Sequence, residues 1–150
     1  MLRKRTKLLL IDDDPAMVRL LTVVIERSMN DEIELESLTD PQEARSRLEE
    51  GGVDILLTDL EMPGISGLEL LRCAKRRSAS TQVLFITGHS TREALLDALE
   101  MGATDYLLKP VDQSQLVDLL RQAHDRQYRW KQALQGTWSK PRDVSPVSAS

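Results

Sequence analysis

The segment Val53-Asp-Ile-Leu-Leu-Thr-Asp59 limits what this chain can fold into more than any other. Positions 53, 55, 56 and 57 are aliphatic, a threonine and an aspartate close the run, and Glu61-Met-Pro-Gly64 follows at once. A short aliphatic run without sustained polar alternation is covered on both faces, the condition of a strand inside a parallel sheet, and the Pro-Gly pair ends it. Asp59 then falls at the carboxyl end of a buried strand, the edge at which open α/β sheets bind ligands. Taken alone, it reads equally well as a turn or capping aspartate. The other strand ends decide between the two.

From the N-terminus, Lys7-Leu-Leu-Leu-Ile11 is a first apolar run, closed by Asp12-Asp13-Asp14-Pro15. Asp14 suits an N-cap and Pro15 the first helical position, so a helix is expected over 15–29, with Val18, Leu20, Leu21, Val24 and Ile25 at helical spacing. Ile33 and Leu35 alternate with acids, as in a half-exposed edge strand. Asp40-Pro-Gln-Glu43 opens a second helix that Gly51-Gly52 ends, and Ser66-Gly-Leu-Glu69 opens a third that runs to about Arg77. Gln82 to Thr87 is the fourth strand and is followed by Gly88-His89. Ser90-Thr-Arg-Glu93 reads as a capping box, with Ala94, Leu95, Ala98 and Leu99 as the inner face of a fourth helix. Asp105-Tyr-Leu-Leu-Lys109-Pro110 supplies a short fifth strand, and Asp112 caps the last helix. Five strands and five helices in strict alternation imply a parallel sheet with helices on both faces and right-handed crossovers.

The last helix outruns the sheet. Leu116, Leu120, Ala123, Gln127, Trp130 and Leu134 follow a heptad stripe, whose first half is expected to pack on the sheet and whose second half, with Tyr128 and Trp130, extends beyond it. His124 on this helix is read as a surface residue. The sequence divides into a domain at 1–123, an extension of the last helix at 124–136, and a polar, Pro/Ser-rich tail or linker at 137–150 that is expected to be disordered.

One hundred and fifty residues suffice for a single domain with a full core. The single cysteine, Cys73, excludes an internal disulfide framework and a cysteine zinc site, and its helical setting makes it a packing thiol. No apolar run reaches membrane-spanning length, and the basic start at Arg3, Lys4, Arg5 and Lys7 lacks the apolar region of a signal peptide, so a cytoplasmic location is expected. Residues 1–120 carry 14 basic and 22 acidic side chains, and residues 121–150 carry six and two. An acidic body of net −8 argues against non-specific nucleic-acid binding.

Under this topology the strand ends gather Asp12, Asp13, Asp59, Thr87 and Lys109 on one rim. Three carboxylates repel, and one lysine does not neutralise them. A hard divalent cation does, and Mg²⁺ suits carboxylates plus water. A carboxylate oxygen is then left as a nucleophile, flanked by positive charge able to stabilise a transferring phosphoryl group. Gly88, lacking a side chain, lets a donor approach.

This constellation resembles the receiver domain of two-component response regulators, over residues 6 to about 123. The residues that carry it are Asp12-Asp13, Asp59 with Met62-Pro63-Gly64 and Gly67, Thr87-Gly88, and Tyr106 with Lys109-Pro110. The resemblance implies a flavodoxin-like, doubly wound five-stranded parallel sheet in the order 2-1-3-4-5. It implies Asp59 as phosphoacceptor and Asp12 and Asp13 as the Mg²⁺-binding pair, with Asp59 and the Glu61 backbone carbonyl completing the protein's ligands. Thr87 and Lys109 would hold phosphoryl oxygens, and Tyr106 would be a switch aromatic that turns inward as Thr87 moves. Glu61 and His89 flank the site and are candidates for tuning dephosphorylation. The Lys109-Pro110 bond is usually cis in the family.

Implied partners are a sensor histidine kinase or phosphotransfer protein and a downstream effector domain or protein. A homodimer would form through the face of the fourth helix, fifth strand and fifth helix, or through the extended helix. The role is regulatory rather than enzymatic in the ordinary sense, beyond Mg²⁺-dependent self-phosphorylation and dephosphorylation. No DNA-reading segment is present, so direct nucleic-acid binding is not expected. A haloacid-dehalogenase phosphatase also uses a strand-end aspartate, and Asp12-x-Asp14 fits the start of its motif. Ala16 stands where that motif requires Thr or Val. A flavodoxin-like nucleotide binder would place a Gly- or Ser/Thr-rich loop where Asp12-Asp13-Asp14 repels phosphate.

Overall fold

The structure is a computed structural model and describes residues 4–88 and 90–138. Its elements are β1 (Thr6–Ile11), α1 (Pro15–Met29), β2 (Ile33–Leu38), α2 (Pro41–Glu50), β3 (Ile55–Asp59), α3 (Gly67–Arg77), β4 (Gln82–Thr87), α4 (Arg92–Glu100), β5 (Asp105–Leu108) and α5 (Gln113–Trp138). All strands are parallel, in the order β2-β1-β3-β4-β5. The order reverses between β1 and β3, so their carboxyl ends open the crevice typical of such sheets.

The period-2 alternation of each strand divides the core into two aliphatic layers. Leu8, Leu10, Ile55, Leu57, Leu84, Ile86 and Leu107 face α1 and α5, meeting Leu21, Ile25, Leu116 and Leu120. Leu9, Ile11, Leu56, Val83 and Phe85 face the other way, onto Ala44, Leu48, Leu70, Leu71, Ala74 and Ala98 of α2, α3 and α4. Both central strands β3 and β4 are buried along their whole length, as two-sided cover demands. Cys73 belongs to the second layer as a buried free thiol. Among the described residues, no helix is long and apolar enough to cross a membrane.

Local chemistry starts the helices. The Asp14 and Asp40 carboxylates accept from the backbone N–H of Ala16 and Gln42, each just ahead of a proline at the first helical position. Ser66 accepts from Glu69 N–H. At α4 the cap is Thr91, whose hydroxyl accepts from Ala94 N–H at 3.1 Å, and not the expected Ser90. Leu99 also departs from expectation: it is 67% exposed, and Ala98 alone of α4 is buried. Ala98 joins the layer formed with Val83 and Phe85 of β4, and the sheet beyond β4 is only the four-residue edge strand β5, too little to cover a broad apolar stripe.

The third correction is His124. It is 4% exposed, and its Nδ1 lies 2.6 Å from Thr6 Oγ1. Strand β1 begins one residue earlier than the apolar run suggests and so presents a hydroxyl to α5. Helix α5 itself runs to Trp138, two residues past the expected end, and the Pro/Ser-rich tail lies outside the described residues.

Gly67, at the start of α3, is held by its N–H to the Leu60 carbonyl at 2.9 Å. A Cβ there would overlap the Asp59 carbonyl oxygen and approach Leu60 Cα and Phe85 Cε1 to 2.9 Å. Backbone cannot yield as a flexible side chain can. Gly67→Ala is therefore expected to cost about 2–3 kcal/mol in urea denaturation. A loss below about 0.5 kcal/mol would show that the α3 start relaxes freely.

Candidate functional site

Pairing register brings the site together. Ile11 lies opposite Thr58, Asp59 opposite Ile86, and Thr87 opposite Leu108. Asp12, Asp59, Thr87 and Lys109 thus occupy adjacent places along four neighbouring strand ends. The Lys109 N–H donates to the Thr87 carbonyl at 2.9 Å, extending that alignment one residue past β5. The Lys109-Pro110 bond is cis.

The acidic pair is not symmetric. Asp12 is buried, its Oδ1 accepts from Asp14 N–H at 2.9 Å, and its Oδ2 is 3.0 Å from Lys109 Nζ. Asp13 is exposed on the same loop. Asp59 is buried, and its Oδ2 is 3.1 Å from the same Nζ, while its Oδ1 accepts from Glu61 N–H at 3.3 Å. One carboxylate oxygen from each of Asp12, Asp13 and Asp59 lies within 4.8 Å of the others. An open cleft of about 440 Å³ beside them is lined by Asp59, Glu61, Thr87, Gly88, Lys109 and Pro110.

Thr87 carries the strongest local signal. Its side chain is buried, and its Oγ1 makes no hydrogen bond. An orphaned hydroxyl in a protein interior costs about 1–3 kcal/mol and calls for a partner that arrives from outside. Gly88 is less demanding than its sequence setting suggests. A Cβ there would sit 3.5 Å from the Lys109 side chain, an ordinary contact. Tyr106 is 51% exposed and borders an apolar groove with Leu95, Leu96 and Leu99 of α4. It does not turn inward. His89 lies outside the described residues.

Two residues place Asp59: Thr58, which sequence reasoning missed, and Gly67, which it named only as part of the resemblance. Thr58 is fully buried, and its hydroxyl donates to the Asp59 carbonyl at 2.8 Å. Gly67 leaves room for that same carbonyl. A threonine inside an otherwise aliphatic buried run was the available signal, since a buried hydroxyl requires a partner.

The electrostatics follow from crowding. Desolvation, then the Asp12 charge and more weakly that of Asp59, raise the Asp13 carboxyl above its ordinary value, against the pull of its own backbone N–H and of Lys109. Burial by itself would lower Lys109. Its hydrogen bonds to Asp12 and Asp59 and their charges outweigh burial and leave it raised. Three carboxylates against one ammonium leave net negative charge among hard oxygen donors, a set that fits a divalent cation.

The parallel five-stranded α/β sheet thus carries an acidic, lysine-bridged crevice at its switch point, where a nucleotide binder would place a Gly- or Ser/Thr-rich loop. Comparison with known proteins places the chain more closely. Residues 8–121 match the model of the response regulator receiver domain, and the chain belongs to that family. Among curated relatives, it is 34% identical over 119 residues to the response regulator protein PilR of Pseudomonas aeruginosa, covering 79% of this chain and 26% of PilR. It is 33% identical over 115 residues to the transcriptional regulatory protein TrcR of Mycobacterium tuberculosis, covering 77% of this chain and 44% of TrcR. The chain thus spans less than half the length of either relative. A CheY-like response regulator receiver domain protein from Methanospirillum hungatei superposes with a TM-score of 0.77 at 25% identity, over 84% of this chain and 98% of that one. A receiver domain from Clostridium thermocellum gives 0.76 at 27% identity, over 83% and 98%. The phosphatase alternative finds no support among these matches.

The raised Asp13 carboxyl sets a sign for the pH dependence. The folded state holds that proton to higher pH than the unfolded chain, so ionised Asp13 destabilises the fold once pH passes its ordinary value. Raised Lys109 has the same sign in a higher window: its contribution is full at neutral pH and is lost only as pH rises past the ordinary lysine value. Asp13→Asn should therefore raise the melting temperature at pH 7 without divalent cations. It should also abolish the gain from Mg²⁺, which in the unaltered protein amounts to about 1.4 kcal/mol at ten times the dissociation constant. Thermal melts with and without MgCl₂ decide this, and an unchanged Mg²⁺ response in the variant refutes it.

Proposed function

We propose that the chain is a phosphorylation-dependent switch of a two-component pathway, accepting a phosphoryl group on Asp59 from a sensor histidine kinase or phosphotransfer protein. The buried, unpartnered Thr87 hydroxyl on the wall of the Asp59 cleft carries this reading. It is a hydrogen-bond donor placed where a phosphoryl oxygen would need one.

In the proposed reaction an Asp59 carboxylate oxygen forms the new bond to phosphorus as the phosphorus–nitrogen bond of a phosphohistidine breaks. The imidazole leaves with that electron pair and is reprotonated by solvent. Lys109 holds Asp59 in place beforehand at 3.1 Å and follows the negative charge as it moves onto the phosphoryl oxygens. The Glu61 N–H, already donating to Oδ1, fixes the carboxylate plane. Asp12, Asp13, Asp59 and the Glu61 backbone carbonyl would hold Mg²⁺. Bound there, the ion would offset charge on the transferring group and its acceptor. Water later cleaves the acyl phosphate, and the Glu61 side chain on the cleft wall flanks its approach.

The output is a surface change. Thr87 gains a partner only in the phosphorylated state, so phosphorylation biases any two-state element that Thr87 joins. Exposed Tyr106 is that element: it turns inward when Thr87 moves, and the groove formed with Leu96 and Leu99 is remodelled. PilR and TrcR are regulators by name, and the match takes up only 26% and 44% of them, which supports output through an effector domain or partner protein rather than through DNA contacts of this chain.

Two measurements test this. With phosphoramidate and Mg²⁺, intact-mass spectrometry should show the gain of one phosphoryl group in the unaltered chain and none in Asp59→Asn; uptake by the variant would move the acceptor elsewhere. Light scattering with beryllofluoride as phosphoryl mimic should show the mass doubling only when Asp59 is intact. A dimer present throughout would assign pairing to the extended helix, and a constant monomer would exclude self-association as the output.

A further inference from the structure

Opposite the acidic rim, the amino-terminal foot of the sheet holds a second polar cluster. Asp54, just before β3, accepts from Lys7 N–H at 2.9 Å, from Gln127 Nε2 at 3.1 Å and from Lys131 Nζ at 3.2 Å. Gln82, the first residue of β4, donates from Nε2 to the Ala123 carbonyl at 2.8 Å and to Gln127 Oε1 at 3.3 Å, and its Oε1 accepts from Arg126 at 2.6 Å. Thr6, the first residue of β1, meets His124. Three strands are thus gripped by four positions of α5, Ala123, His124, Arg126 and Gln127, with Lys131 one turn further on.

These contacts begin where the apolar seam stops. Leu116, Leu120 and Ala123 are fully buried, whereas Trp130 and Leu134 are exposed. A helical segment of the length of 124–138 is marginal in water without tertiary support. Apolar packing also tolerates sliding and rotation, whereas buried hydrogen bonds to a carboxylate and two amides are directional. Gln82, His124 and Gln127 are all buried, so release would leave polar groups unsatisfied.

We propose that the foot of the sheet is a latch that fixes the α5 extension as a rigid arm of the receiver, with Gln127 and Lys131 as its positioning residues. Whatever follows the arm in the chain is then carried at one set angle and rotation. Trp130 and Leu134 are likewise presented on one defined side instead of sweeping through many. The proposal stands on the foot contacts alone and does not depend on the phosphoryl reading of the opposite edge.

Hydrogen exchange read by mass spectrometry on the full chain tests it. In the unaltered protein, backbone amides of residues 124–134 should be protected. The Gln127→Ala, Lys131→Ala double variant should exchange there about tenfold faster or more, since each lost bond to a charged group is worth at least the ~1.4 kcal/mol that a factor of ten represents. Amides of β1, β3 and β4 should keep their protection. Lys131→Ala alone should move the arm part of the way, and Lys131→Arg should restore it. Unchanged arm protection in the double variant overturns the proposal, as does an arm already unprotected in the unaltered chain. Equal loss of protection across the sheet also overturns it, because the contacts would then serve core stability and not the arm.

Discussion

A single ammonium group, Lys109 Nζ, lies about 3 Å from two buried carboxylates, Asp12 and Asp59. The rest of the molecule can be understood from that contact. Like charges so close in a partly desolvated crevice would drive one carboxyl to protonate or the strand ends to splay. Lysine prevents both, but only if β1, β3 and β5 keep their register. The aliphatic sheet enforces this, with β3 and β4 buried on both faces and the two layers of Leu, Ile and Val holding strand ends as a fixed rim. The electrostatic tension of the site is local, and the apolar layers beneath it offset its cost.

The same logic explains which features were legible in the sequence. Strand and helix order, the caps Asp14, Asp40 and Ser66, and the gathering of Asp12, Asp59, Thr87 and Lys109 all follow from short-range pattern plus the chirality of βα units. What escaped depends on contacts between distant parts of the chain. His124 was read as surface because its partner, Thr6, is 118 residues away. Leu99 was placed inside because helical spacing cannot show that β5 is a four-residue edge. Ser90 and Thr91 are both competent caps, and residue type does not choose between them. Gly67 matters because of a carbonyl eight residues upstream that no local rule brings against it.

The two edges of the sheet are polar in opposite senses. At the foot, the buried amides of Gln82 and Gln127 and the Asp54 carboxylate are met by partners on β1 and α5. Such a network has little to gain from a ligand and much to lose from movement, which makes it a source of rigidity. At the rim, the negative charge exceeds its internal compensation, and Thr87 Oγ1 is the one buried side-chain polar atom without a partner among the described residues.

That contrast bears on why an event at the rim can alter a surface. A fully satisfied site binds a ligand only by breaking something, whereas an unsatisfied one gains contacts that its free state lacks. The difference between the two states is what a ligand can use to shift an equilibrium. Thr87 and Gln82 stand at opposite ends of β4, as Asp59 and Asp54 stand at opposite ends of the β3 segment. The foot end of each is anchored to α5; at the rim, Thr87 Oγ1 has no partner, whereas Asp59 is held by Lys109 and the Glu61 N–H. A strand pinned at its foot responds to a pull at its tip by local rearrangement there, not by sliding as a body. The elements near that tip that are held least are short β5, with exposed Tyr106 and Leu108, and α4, with only Ala98 buried.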